Sequence, residues 1–158
     1  MAQVAILMGS KSDAEVMKRA ADVLEDFGVD YEMRILSAHR TPEETRNFVL
    51  EAEKRGVEVF IAGAGFAAHL AGVVAAHTVL PVIGVPIDSS PLKGVDALYS
   101  TVQMPGGIPV ATMTIGKAGA TNAGLFAVQI LSRKQPQLVE RLRKYRNDMR
   151  EQILSIRL

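Results

Sequence analysis

Val4-Ala5-Ile6-Leu7-Met8-Gly9-Ser10-Lys11-Ser12-Asp13 decides the fold, because an unbroken apolar run passes directly into a glycine, two serines and an acid. An apolar run of this length, bounded by turn residues, reads as a strand buried on both faces. The segment behind it places Val16, Ala20, Val23 and Phe27 on one helical stripe before Gly28. Ser12 and Glu15 stand at capping-box spacing where that helix is expected to begin. Strand, turn and helix in this order are the first half of a parallel β-α-β unit.

The pattern repeats outward from this stretch. Tyr31 to Leu36, Val57 to Ala62, Val82 to Pro86 and Val110 to Ile115 read as four further strands, each expected to be covered on both faces. Thr41, Pro42 and Glu44 supply cap, first-turn proline and reciprocal cap for a second helix that closes at Gly56. A third helix is expected over Ala67 to Ala76 and a fourth over Asn122 to Arg133. The spacing predicts an α/β protein: a three-layer αβα sandwich around a flavodoxin-like, doubly wound parallel sheet of about five strands. Asp88 to Pro109, crowded with Gly, Pro and Ser, reads as one long functional loop. Beyond it, Leu138, Leu142, Tyr145, Met149 and Ile153 are at helical spacing in Gln137 to Leu158. This extra C-terminal helix is expected to pack on a neighbouring subunit, and residues 1–158 to form one domain.

Composition narrows the function. Only 5% of residues are aromatic although 48% are hydrophobic, so small and branched aliphatics must build the core. The 18 basic and 17 acidic residues leave a net charge of +1, too little for a whole-surface field, so an anion must be caught locally. Without cysteine there is no disulfide framework, thiolate nucleophile or Cys-based zinc site. That composition, with no signal-like start and no apolar run of membrane length, leads us to expect a cytoplasmic protein free of membrane contact.

In doubly wound sheets, ligands bind beyond the carboxyl ends of the strands, and three motifs fall there. Gly9 to Asp13 leads into a helix start, whose free N–H groups and positive dipole end suit a phosphate; equally, Gly9 permits a tight turn and Ser12 caps the helix. Ser37-Ala38-His39-Arg40-Thr41-Pro42 adds a hydroxyl and a guanidinium fork beside a second helix start. His39 is the histidine placed next to these turns, and an imidazole's ordinary pKa of about 6.5 suits proton transfer near neutral pH. Gly63-Ala64-Gly65-Phe66-Ala67-Ala68-His69 has the Gly-x-Gly-x-x-Ala form of a dinucleotide fingerprint. It follows the third strand instead of the first, and its small residues would also let the backbone approach a flat heterocycle with His69 close by. His77 reads as an ordinary helix residue.

No Gly-x-x-x-x-Gly-Lys-Ser/Thr loop, Gly-x-Ser-x-Gly elbow or His-Glu-x-x-His pair is present. A receiver domain would need an acceptor aspartate where Ala62, Gly63 and Ala64 stand, and a flavodoxin would need aromatic residues to stack on its flavin. The basic stretch holding Arg141, Arg143, Lys144, Arg146 and Arg150 raises nucleic-acid binding, but RNA readers add stacking aromatics that are scarce here.

Met8 to Asp13, Ser37 to Pro42, Ala62 to Leu70, Gly84 to Pro86, Val102 to Pro109 and Ala118 to Ala123 together resemble the class I N5-carboxyaminoimidazole ribonucleotide mutases of purine biosynthesis, over nearly the whole chain. The resemblance implies reversible conversion of N5-carboxyaminoimidazole ribonucleotide to 4-carboxy-5-aminoimidazole ribonucleotide, with no metal, nucleoside triphosphate or redox cofactor. It implies that Ser10, Ser12, Ser37 and Arg40, beside Gly9, hold the phosphate and Asp13 the ribose hydroxyls, with His39 as general acid and base. It further implies that Ala64, Gly65, His69 and Leu70 line the base and carboxylate, that Gln103 to Gly107 closes over the pocket, and that the chain is a homo-octamer. The commonest form of the third motif is Gly-Gly-Ala-Ala-His-Leu-Pro-Gly; here Phe66 and Ala71 depart from it. A related carboxylase class, using free carbon dioxide, typically continues its Ser-Ala-His turn with lysine, whereas this chain has Arg40.

Overall fold

The computed structural model describes residues 1–157. Five parallel strands form one sheet in the order β2-β1-β3-β4-β5: β1 Val4–Met8, β2 Tyr31–Ile35, β3 Val59–Ala64, β4 Val82–Pro86 and β5 Ala111–Thr112. Val4 pairs with Tyr31 on one side and Val59 on the other, so β1 and β3 lie side by side where the winding reverses. This is the flavodoxin-like order and its switch point.

Among the described residues α1 Ala14–Asp26, α2 Pro42–Lys54, α3 Leu70–Ala75, α4 Val95–Val102 and α5 Lys117–Leu131 cover the two faces, and α6 Pro136–Ser155 lies against α5. On one face Ile6, Ile61 and Ile83 meet Leu24, Ala123 and Leu131 from α1 and α5. On the other, Leu7 and Phe60 meet Val49, Leu70 and Val74 from α2 and α3. Small residues permit this closeness; a Cβ on Gly124 of α5 would lie 2.9 Å from the Ala20 carbonyl oxygen of α1. α6 anchors by burying Leu138, and Arg141 donates hydrogen bonds to the carbonyls of Phe27 and Asp26 at 2.9 and 2.8 Å.

Several expectations need correction. Only β1 and β4 are buried throughout, and β3 up to Gly63; β2 and β5 are edges, and Ile35 is 53% exposed. β3 starts and ends two residues later than expected, carrying Gly63 and Ala64 inside the strand. The stretch Asp88 to Pro109 is not all loop: α4 occupies its middle, missed because Val, Ser, Thr and Tyr are modest helix formers and Gly94 precedes them. Packing on the sheet stabilises it, with buried Thr101 set against Gly84 of β4, where an added Cβ would collide with the Thr101 methyl group. α3 is shorter than Ala67 to Ala76, and α5 begins at Lys117, ahead of Asn122. The expected last helix residue, Leu158, lies outside the described residues. No described helix is long and apolar enough to cross a membrane.

Candidate active site

The turns after β1, β2, β3 and β4 meet over the carboxyl edge of the sheet and line a cavity of about 670 Å³. The first turn is held by the acid that ends it. Ser10 donates its backbone N–H (3.1 Å) and its hydroxyl (3.2 Å) to Asp13 Oδ2, and the Ser10 and Ser12 hydroxyl oxygens stand 2.5 Å apart. The capping box is therefore Ser10 with Asp13, one short 3-10 turn before α1, instead of Ser12 with Glu15. Burial pushes the Asp13 carboxyl above its ordinary 3.8, against the lowering pull of the Ser10 hydrogen bonds and of the Arg40 charge.

The second turn is folded on itself and tied to the first. Thr41 does not cap α2 forward; its Oγ1 accepts the Ser37 N–H at 2.8 Å and donates to the Ser37 carbonyl at 3.1 Å. Ser37 Oγ accepts the Arg40 N–H at 3.2 Å, and the Arg40 guanidinium donates to the Gly9 carbonyl oxygen at 2.8 Å. Two serine-bearing turns and one guanidinium so form a single cradle of donors, shaped for a phosphate.

The third turn carries the flat part of the site. His39 Nε2 and His69 Nδ1 are 2.7 Å apart, with the rings edge to face at a centroid distance of 4.8 Å. One nitrogen of the pair must donate and the other accept, which couples the tautomers of the two rings. Gly65 reaches this place because it lacks a side chain: a Cβ there would stand 1.9 Å from Ser89 Oγ and 3.2 Å from the Ile87 carbonyl oxygen. Gly63 and Ala64 are strand residues, so the Gly-x-Gly stretch is no helix-opening phosphate loop, and the dinucleotide reading falls.

Gly9, Ser10, Ser12, Asp13, Ser37, His39, Arg40, Ala64, Gly65, His69 and Leu70 all lie on the cavity wall. Gln103 to Gly107 do not; Met104 instead packs near Gly72 of α3, its Sδ 3.1 Å from where a Cβ on that glycine would be. His77 is also off the wall. Ser89, which the sequence reading missed, is on it. Its signal was available, since it stands just past the carboxyl end of β4.

Fold and site together define a flavodoxin-like α/β protein whose ligand site, at the switch between β1 and β3, suits a phosphorylated heterocycle. The family model described as AIR carboxylase matches residues 3–152. The N5-carboxyaminoimidazole ribonucleotide mutase of Pyrococcus abyssi is 61% identical over 150 residues, covering 95% of this chain and 85% of that protein. That of Saccharolobus solfataricus is 56% identical over 158 residues, covering 100% and 99%. The crystal structure of Treponema denticola PurE aligns with a TM-score of 0.87 at 32% identity, covering 96% of this chain and 93% of that one. The chain belongs to the AIR carboxylase family, among relatives named N5-carboxyaminoimidazole ribonucleotide mutases.

Proposed function

We infer that this protein is an N5-carboxyaminoimidazole ribonucleotide mutase, an isomerase that moves a carboxyl group from the exocyclic nitrogen of an aminoimidazole ribonucleotide to ring carbon C4. The observation that carries the reading is the His39–His69 pair standing beside the donor cradle of Ser10, Ser12, Ser37 and Arg40.

Ser10, Ser12, Ser37 and Arg40 bind the phosphate, and Asp13 takes the ribose hydroxyls. Gly9 completes the phosphate turn, and Ala64, Gly65, His69 and Leu70 shape the wall around the base. With the nucleotide so fixed, the carbamate nitrogen takes a proton, the N–C bond breaks, and carbon dioxide leaves with neutral 5-aminoimidazole ribonucleotide. The electron-rich ring then attacks carbon dioxide through C4, and His39 removes the C4 proton to restore aromaticity. One proton enters at nitrogen and one leaves from carbon, so a single imidazole can shuttle both, a role usually worth about 10² to 10⁴ in rate. Confinement supplies the effective concentration that free carbon dioxide lacks.

A homo-octameric assembly in the cytoplasm, implied by the resemblance, belongs to the same reading. Exposed apolar residues at the end of α6, among them Ile153 and Leu154, offer it a surface to bury.

One observation favours a second reading: the matched family model is described as AIR carboxylase, an enzyme class that takes up carbon dioxide directly. A substrate comparison separates the two. Formation of 4-carboxy product from the N5-carbamate, faster than from aminoimidazole ribonucleotide with bicarbonate, is expected. Turnover with aminoimidazole ribonucleotide plus bicarbonate alone would overturn the mutase assignment.

A further inference from the structure

Phe66 is out of place for the chain it sits in. Its φ is 54°, inside the left-handed region that an aromatic L residue enters only at a cost in stability and that glycine enters freely. The ring does not recover that cost by burial, since the residue is 56% exposed and makes no aromatic pair among the described residues. It nevertheless lies on the wall of the cavity that holds His39 and His69. The other apolar wall residues are Ala38, Ala64, Ala67 and Leu70, of which Leu70 is buried. Among the described residues Phe66 is thus the one large apolar side chain both exposed and on the wall, held by a loop whose preceding residue, Gly65, is fixed against Ser89 and the Ile87 carbonyl. Residues kept in such backbone conformations cluster where they act on a ligand.

We propose that Phe66 is a substrate-covering residue: with nucleotide bound, its ring closes the open side of the cavity and keeps released carbon dioxide beside the aminoimidazole until C4 captures it. This rests on the mutase reading. The need is chemical: once the N–C bond has broken, carbon dioxide is neutral and unanchored, so the charged groups on the wall hold it far more weakly than they hold a carboxylate. An apolar cover slows its escape and keeps out the water that would convert it to bicarbonate. The phosphate cradle cannot do this, because its groups are donors for an anion.

The test uses single turnovers of carboxyl-13C-labelled N5-carbamate with enzyme in excess and unlabelled bicarbonate in the medium. It compares the wild type, Phe66→Gly and Phe66→Leu, with loss of carbamate in the absence of enzyme subtracted. Phe66→Gly is expected to melt no lower than wild type, to keep its assembly size, and to release about tenfold more aminoimidazole ribonucleotide and label per product formed. Phe66→Leu, which keeps apolar bulk, should retain label nearly as wild type does. Retention in Phe66→Gly equal to wild type would overturn the proposal, as would equal losses in both variants. A lowered yield accompanied by dissociation of the assembly would overturn it too, by assigning the ring to a subunit contact. A wild-type enzyme that makes no 4-carboxy product would overturn the mutase reading as well, whereas unchanged leakage in an active enzyme overturns only the role of Phe66.

Discussion

Between Ser10 and Arg40 the cavity wall is made of side chains that hold one another. Between Gly63 and Leu70 it is made as much by side chains that are missing. In the first region Asp13 fixes Ser10, Thr41 fixes Ser37, and Arg40 bridges to the Gly9 carbonyl, so hydrogen bonds within the protein hold the donor cradle together. In the second, Gly65 lets the backbone press against Ser89, and the imidazoles of His39 and His69, the first proposed to move the protons, stand with nitrogens 2.7 Å apart. An anion needs donors in fixed positions; a flat ring that gains and loses a carboxyl group needs room beside a proton carrier. On the proposed reading, affinity and turnover reside in different turns, and substitutions separate them.

His39 joins the two regions, and its loss has the largest expected effect. In His39→Asn kcat should fall by about 10² to 10⁴ while calorimetry shows nucleotide affinity close to wild type. A variant that keeps its kcat would move proton transfer elsewhere. Next comes Gly65→Ala, whose methyl group collides with Ser89 Oγ. A displacement of the base-side loop by about 1 Å costs on the order of 10² in kcat/KM. Adding Ser89→Ala should recover part of that loss, while the Ile87 carbonyl oxygen at 3.2 Å limits the recovery. Arg40→Ala probes the anion side alone: nucleotide Kd should rise roughly 10- to 100-fold, as for a lost charge-assisted hydrogen bond, with kcat little altered.

The smallest effect concerns Asp13. Its folded-state pKa stands above the ordinary 3.8, so the folded protein binds more protons than the unfolded chain between those values. The stability this contributes is full below about 3.8 and is lost as pH rises through the raised pKa. Asp13→Asn removes the titration. Thermal melts from neutral pH down to about 4 should therefore show the wild type gaining a few degrees on the variant; a constant gap would contradict the assigned cause.

The same division explains what could be read before the fold was known. β1, β4 and both serine-bearing turns were legible because hydrophobic runs and donor side chains declare themselves. α4 was not, since its stability comes from packing on the sheet and its own residues favour helix weakly. Nor did the sequence show the direction of the Thr41 hydroxyl, which turns back to Ser37 although its spacing to Glu44 fits a capping box. The role of Gly65 depends on Ser89, a residue distant in sequence that only β3–β4 pairing brings close. Phe66 itself argues against the left-handed backbone found there; the one sign of it is the glycine that the commonest form of the motif carries at this position.

A crystal structure with bound 4-carboxy-5-aminoimidazole ribonucleotide tests the central claim most directly. The phosphate should occupy the cradle of Ser10, Ser12, Ser37 and Arg40, with C4 of the base about 3 Å from a nitrogen of the His39 imidazole. A phosphate bound elsewhere, or a base turned away from both His39 and His69, would contradict it.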